Sequence, residues 1–138
     1  MHMAVELVRA ARLSPDVPYA YAAIAPPGGL VFTAGACPLD QDGQVVAPGD
    51  VEAQARRVMD NLAEALAAAG AGLTDVLKTT VYVASSNRAD LVAGWEVVRA
   101  AFGDHDAPST LLGVAVLGYP GQLVEVEAIA LAKPGGDK

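Results

Sequence analysis

The sequence predicts a single α+β domain in which one sheet carries two helices on the same face. Three observations lead there. Two segments, beginning at Asp50 and near Asn87, repeat apolar residues at spacings of three and four. Several shorter segments are rich in β-branched or alternating apolar residues and lie between Gly and Pro turns. The order of elements puts strands first, then alternates strand and helix, and closes on two strands, which suits one sheet with both helices packed together. At 138 residues, 53% of them apolar, the chain is the size of one domain with one core. Residues 1–132 are assigned to it, and Lys133-Pro134-Gly135-Gly136-Asp137-Lys138 reads by composition as a flexible C-terminal tail.

Residues 4–8 are predicted as a short edge strand, followed by a loop through Ser14-Pro15-Asp16. Tyr19–Ala25 and Leu30–Ala34 form a hairpin around Pro26-Pro27-Gly28-Gly29. A small hairpin is expected at Asp42-Gly43. Asp50 caps the first helix, whose buried stripe is Val51, Ala55, Val58, Leu62, Leu66 and Ala69, and Gly70 and Gly72 stop it. Residues 76–83 are β-branched and aromatic and give the most distinct strand. Asn87 or Ser86 caps the second helix, with Leu91, Trp95, Val98 and Phe102 inward and Gly103 at its end. Ser109–Leu117 and Leu123–Leu131 are the closing strands, the first interrupted by Gly113. Alternation in the last strand puts Glu125 and Glu127 on one face. With both helices on one side, the opposite face of the sheet needs cover. Self-association would supply it, in a copy number that the residues alone leave open.

Composition narrows the function. The net charge is −7, and the nine Lys and Arg residues are scattered, which disfavours nucleic acid as a partner. One Cys and two His at no metal-ligand spacing predict no metal site. No stretch has the length of a membrane span, and Met1-His2-Met3 lacks the order of a signal peptide, so no membrane partner and a cytoplasmic location are expected. A Ser109–His105–Asp106 triad is disfavoured because no strand-turn-helix elbow surrounds Ser109. His105 reads as an exposed loop residue, Cys37 as a small loop residue and Trp95 as core. Glu125 and Glu127 taken alone read as the solvated face of a terminal strand.

Several segments in order then resemble the RidA (YjgF/YER057c/UK114) family. They are Pro18-Tyr19, Val31-Phe32-Thr33-Ala34-Gly35 with Pro38-Leu39-Asp40, Gln54-Ala55-Arg56 through Asn61-Leu62, Ala68-Ala69-Gly70, residues 76–83, and Val124-Glu125-Val126-Glu127-Ala128-Ile129-Ala130. The resemblance runs from about Val17 to Ala130. It implies a chorismate-mutase-like fold and a homotrimer with a barrel-like centre and clefts between subunits. It also implies cofactor-free hydrolysis of reactive enamine or imine acids to a keto acid and ammonia. By the same resemblance Tyr19 and Glu125 are the catalytic candidates and the Gly35 backbone faces the substrate. The family's carboxylate-binding Arg aligns with Ser109, next to Thr110, and Leu111 replaces a frequent Cys. A Ser hydroxyl offers one neutral hydrogen bond where a guanidinium offers a charged fork. Arg88 is the candidate replacement cation. The expected function is therefore an imine or enamine deaminase acting on small metabolites. A non-catalytic small-molecule-binding or regulatory trimer is the alternative, and an endoribonuclease or translation inhibitor is the least favoured by charge.

Overall fold

The computed structural model describes residues 6–17, 21–24 and 29–133. The strands are β1 (Glu6–Val8), β2 (Ala22–Ile24), β3 (Leu30–Thr33), β4 (Val76–Val83), β5 (Ser109–Gly113) and β6 (Val124–Leu131). The helices are α1 (Val51–Ala68) and α2 (Arg88–Phe102). The six strands form one sheet in the order β1-β2-β3-β6-β4-β5. All neighbours are antiparallel except β4 and β5, which run parallel because α2 carries the chain back between them.

Both helices start where a side chain satisfies the first free amides: Asp50 accepts from the Ala53 N–H and Asn87 from the Ala89 N–H. The predicted stripes are the ones that pack. Ala55, Val58, Leu62, Leu66, Val98 and Phe102 are buried against Val31, Val81, Val83, Val124, Val126, Ala128 and Ala130 of the sheet. The alternation in β6 is visible as burial, since residues 124, 126, 128 and 130 are buried and residues 125, 127 and 129 are not. The two helices approach closely over Gly94, where an added Cβ would lie 3.3 Å from Val83 Cγ2 and 3.5 Å from Val51 Cγ1.

Two buried polar residues of α1 tie it to loops. Gln54, fully buried, donates to the carbonyls of Gly121 (3.0 Å) and Ala47 (3.3 Å) and accepts from the Leu123 N–H (2.8 Å). Asn61 donates to the carbonyls of Cys37 and Leu39, both at 2.9 Å. A second, smaller cluster of Leu13, Val17, Tyr21, Cys37, Leu39 and Ala65 seals the N-terminal loop against α1.

Several expectations need correction. The strand expected over 109–117 ends at Gly113, where the Ser85 carbonyl stands 2.9 Å from a would-be Cβ and the Val114 N–H bonds back to the Val83 carbonyl. His105 is half-buried, its Nε2 is 2.8 Å from the Val76 carbonyl, and its ring leans on Phe102. The small hairpin does form, with Gly43 at φ +80° and a bridge between Leu39 and Val45. Residues 4–5 of the expected first strand, residues 19–20 and 25–28 of the first hairpin, and residues 134–138 of the expected tail lie outside the described residues.

Candidate functional site

The face of the sheet turned away from the helices carries Phe32, Lys78, Thr80, Tyr82, Thr110, Leu112, Glu125, Glu127 and Ile129, placed there by strand alternation and register. Glu125 is the most constrained of its polar groups. Its Oε1 accepts from the Gln122 amide at 3.0 Å and lies 3.6 Å from the Cys37 thiol, whose single hydrogen it shares with the Gly35 carbonyl at 3.5 Å. Gln122 is itself 3% exposed and fixed at both ends, donating to the Val124 carbonyl and accepting from the Tyr119 N–H.

Gly35 lies directly beneath the Glu125 carboxylate. A Cβ there would fall on Oε2 and come within 2.6 Å of Cδ and 2.8 Å of Cγ. A side chain at 35 would displace the Glu125 carboxylate, so glycine here is what lets the acid lie where it does. The chain reaches this point because Ala36 exchanges two backbone hydrogen bonds with Val126, extending the pairing past the end of β3. With Oε1 engaged by Gln122 and Cys37, Oε2 has no hydrogen bond among the described residues and can meet a ligand or a water.

Across the β4–β6 ladder Tyr82 stands opposite Glu125 and donates to Glu127 Oε2 at 2.9 Å. Burial, then the hydrogen bond and charge of Glu127, then the charge of Glu125, push its phenol above the usual range. On the same strand as Tyr82, Lys78 Nζ donates to Thr110 Oγ1 of β5 at 2.6 Å, and Lys78 and Glu127 line a hollow of about 170 Å³ floored by Phe32 and Ile129.

The residues singled out from sequence divide accordingly. Glu125 and Gly35 are brought together. Thr110 shares their face, but it pairs with Thr80, which in turn pairs with Glu127, so it sits two strands from the acid's own strand. Ser109 points to the helix side, its Oγ 2.5 Å from Thr79 Oγ1 and 3.0 Å from the Ala107 carbonyl. Arg88 is the exposed first residue of α2. Tyr19 lies outside the described residues. Sequence reasoning missed Gln122, Cys37 as a partner of Glu125, and Lys78. Only Lys78 left a signal, as the charged residue inside an otherwise apolar and hydroxylic strand.

This topology, with an uncovered face bearing a fixed acid, defines a chorismate-mutase-like α+β domain. The family model described as "Endoribonuclease L-PSP" matches residues 9–132, and the chain belongs to that family, the RidA (YjgF/UK114) family. It is 36% identical over 116 residues to the RutC family protein PH0854 of Pyrococcus horikoshii, covering 84% of this chain and 88% of that protein. It is 35% identical over 109 residues to the 2-iminobutanoate/2-iminopropanoate deaminase of Escherichia coli, covering 77% and 82%. The crystal structure of E. coli TdcF with bound serine superposes with a TM-score of 0.77 at 29% identity, over 93% of this chain and 99% of that one. Among the described residues no helix is long and apolar enough to cross a membrane.

Proposed function

We propose that this protein is a cofactor-independent deaminase of small imine or enamine acids, working as a homotrimer in the cytoplasm with its sites at subunit clefts. The observation that carries the reading is Glu125, one oxygen held by Gln122 and Cys37 and the other presented above a bare glycine backbone. A carboxylate fixed in this way can take a proton from water as the water oxygen bonds to the imine carbon. Addition to the protonated imine gives a neutral carbinolamine; the proton on Glu125 passes to its nitrogen, the C–N bond breaks as the C=O bond forms, and the hydroxyl proton returns to the carboxylate, giving ammonia and a keto acid. The relative named as an iminobutanoate and iminopropanoate deaminase supports this substrate class.

In this reading Tyr19 hydrogen-bonds the substrate, the Gly35 backbone lines its path, and Thr110 binds from a neighbouring subunit, which spans the distance that separates it from Glu125 within one chain. Lys78, already bonded to Thr110, is the cation best placed for the substrate carboxylate, ahead of Arg88 at the start of α2. Ser109 holds Thr79 and the loop before β5. The orientation of Ser109 favours the second reading, a trimer that binds small molecules without turnover, because no guanidinium stands at that position.

One experiment separates the two. An imino acid is generated in situ by an amino-acid oxidase, and keto-acid release is followed with the protein, with Glu125→Gln and with buffer. The deaminase reading expects acceleration by the protein and a loss of about a hundredfold or more in the variant. If protein and buffer are equal, the non-catalytic reading replaces it.

A further inference from the structure

A second polar cleft, of about 630 Å³, lies on the helix side of the molecule, away from the sheet face that carries Glu125. Its walls are Arg57, Asp60, Asn61 and Glu64 on one face of α1, with Arg12 from the N-terminal loop and Gln41 from the small hairpin. Two of these groups are held in place yet have bonding capacity left over.

Arg57 is half-buried and anchored through Nε, which donates to the Leu39 carbonyl at 3.0 Å. Its terminal Nη groups have no acceptor among the described residues. Asn61 is 6% exposed and spends its amide nitrogen on two carbonyls, those of Cys37 and Leu39. Since both neighbours are acceptors, the nitrogen has to face them, which leaves Oδ1 as the atom without a partner among the described residues. No buried side-chain oxygen or nitrogen is unsatisfied among the described residues, so Oδ1 reaches the solvent of the cleft. Beside this pair stand the carboxylates of Asp60 and Glu64. Glu64 meets Arg12 at 3.5 Å in an exposed ion pair that costs little to open.

The geometry points to a binding site for a small zwitterion of the amino-acid class. The Arg57 fork takes the carboxylate, and Asn61 Oδ1 with the Asp60 and Glu64 carboxylates takes the ammonium. A lone anion would meet two carboxylates and a lone amine two guanidinium groups, whereas a zwitterion satisfies both halves of a cleft whose own charges cancel. The site is independent of the deaminase reading, and shares with it only the 37–39 segment: one side accepts from Asn61 and Arg57, and the Cys37 thiol on the other donates to Glu125.

The test uses the isotope-labelled full chain titrated with L-alanine, propionate and ethylamine as separate probes and followed by amide NMR. L-Alanine is expected to bind more tightly than either half-molecule and to move signals of residues 57–64 and 37–41. Arg57→Gln should weaken it by about tenfold or more, since a charge-assisted fork is lost. Arg57→Lys, which keeps the charge, should fall between. Glu125→Gln should bind L-alanine as the unaltered protein does. Equal binding of propionate and L-alanine, loss of binding in Glu125→Gln but not Arg57→Gln, or no saturable binding would each overturn the proposal.

Discussion

Tyr82 donates to Glu127 and faces Glu125 across the ladder, so ionising its phenol would set a third negative charge beside two carboxylates. Burial is the largest cause of its raised pKa and the two acids add to it. Tyr21 is raised in the same direction, first by burial and then by Tyr119, with Arg9 opposing. Folded chains therefore hold these protons more tightly than unfolded ones. Below the ordinary phenol value of about 10 both states are protonated and the groups are silent. Above it the unfolded chain releases protons first, and stability falls as pH rises through the raised folded values. The midpoint of thermal unfolding should decline above about pH 10, less steeply in Tyr82→Phe. In Glu127→Gln the Tyr82 phenol, followed by phenolate absorbance, should titrate lower but still above its ordinary value, because burial remains. An unchanged alkaline slope in Tyr82→Phe would clear Tyr82 of the effect.

At the scale of elements, α1 is placed by hydrophobic packing and then locked by Gln54, whose amide bonds the Gly121 and Ala47 carbonyls and the Leu123 N–H. Gly121 and Leu123 lead directly into β6, the strand that carries Glu125. Gln54→Leu keeps the volume and removes every partner, leaving buried backbone groups unsatisfied. A loss of about 2 kcal/mol is expected, read as a drop of several degrees in the unfolding midpoint. A variant as stable as the parent would show that water replaces the amide. Gln54 also shows what the sequence could not disclose. Helix limits, caps and apolar stripes were legible because they depend on residues near one another in the chain, as at Asp50 and Asn87. That Glu125 and Glu127 share a face was legible for the same reason, and the family pattern added Gly35. The partners of Glu125 were not, because Cys37 is 88 residues away and Gln122 reads by type as a surface loop residue. Ser109 and Thr110 were adjacent in the reading, yet strand alternation sends them to opposite faces, and only the pairing with Thr79 and Thr80 decides which goes where.

For the whole molecule, the two helices cover one side of the sheet and leave the other to solvent. Phe32 is 47% exposed there, Leu112 43% and Leu131 48%, and Leu7 on the edge strand is 70% exposed. Scattered apolar residues on a surface need no explanation, but a contiguous sheet face of them marks an interface. Tyr82 and Thr110 already hydrogen-bond the charged Glu127 and Lys78 on this face, so fewer of their hydrogen-bonding positions need a partner when a neighbour covers them. Association through this face should give a particle of three times the 14.0 kDa chain mass by light scattering. Its unfolding midpoint should rise with protein concentration, because assembly stabilises only the folded chain. Phe32→Asp puts an unpaired carboxylate in the middle of the face and should shift the mass toward monomer, taking deaminase activity with it if the clefts lie between subunits. A monodisperse monomer with concentration-independent stability would instead mean that the exposed face has some other cover, and that Thr110 and Glu125, two strands apart in one chain, never serve one substrate.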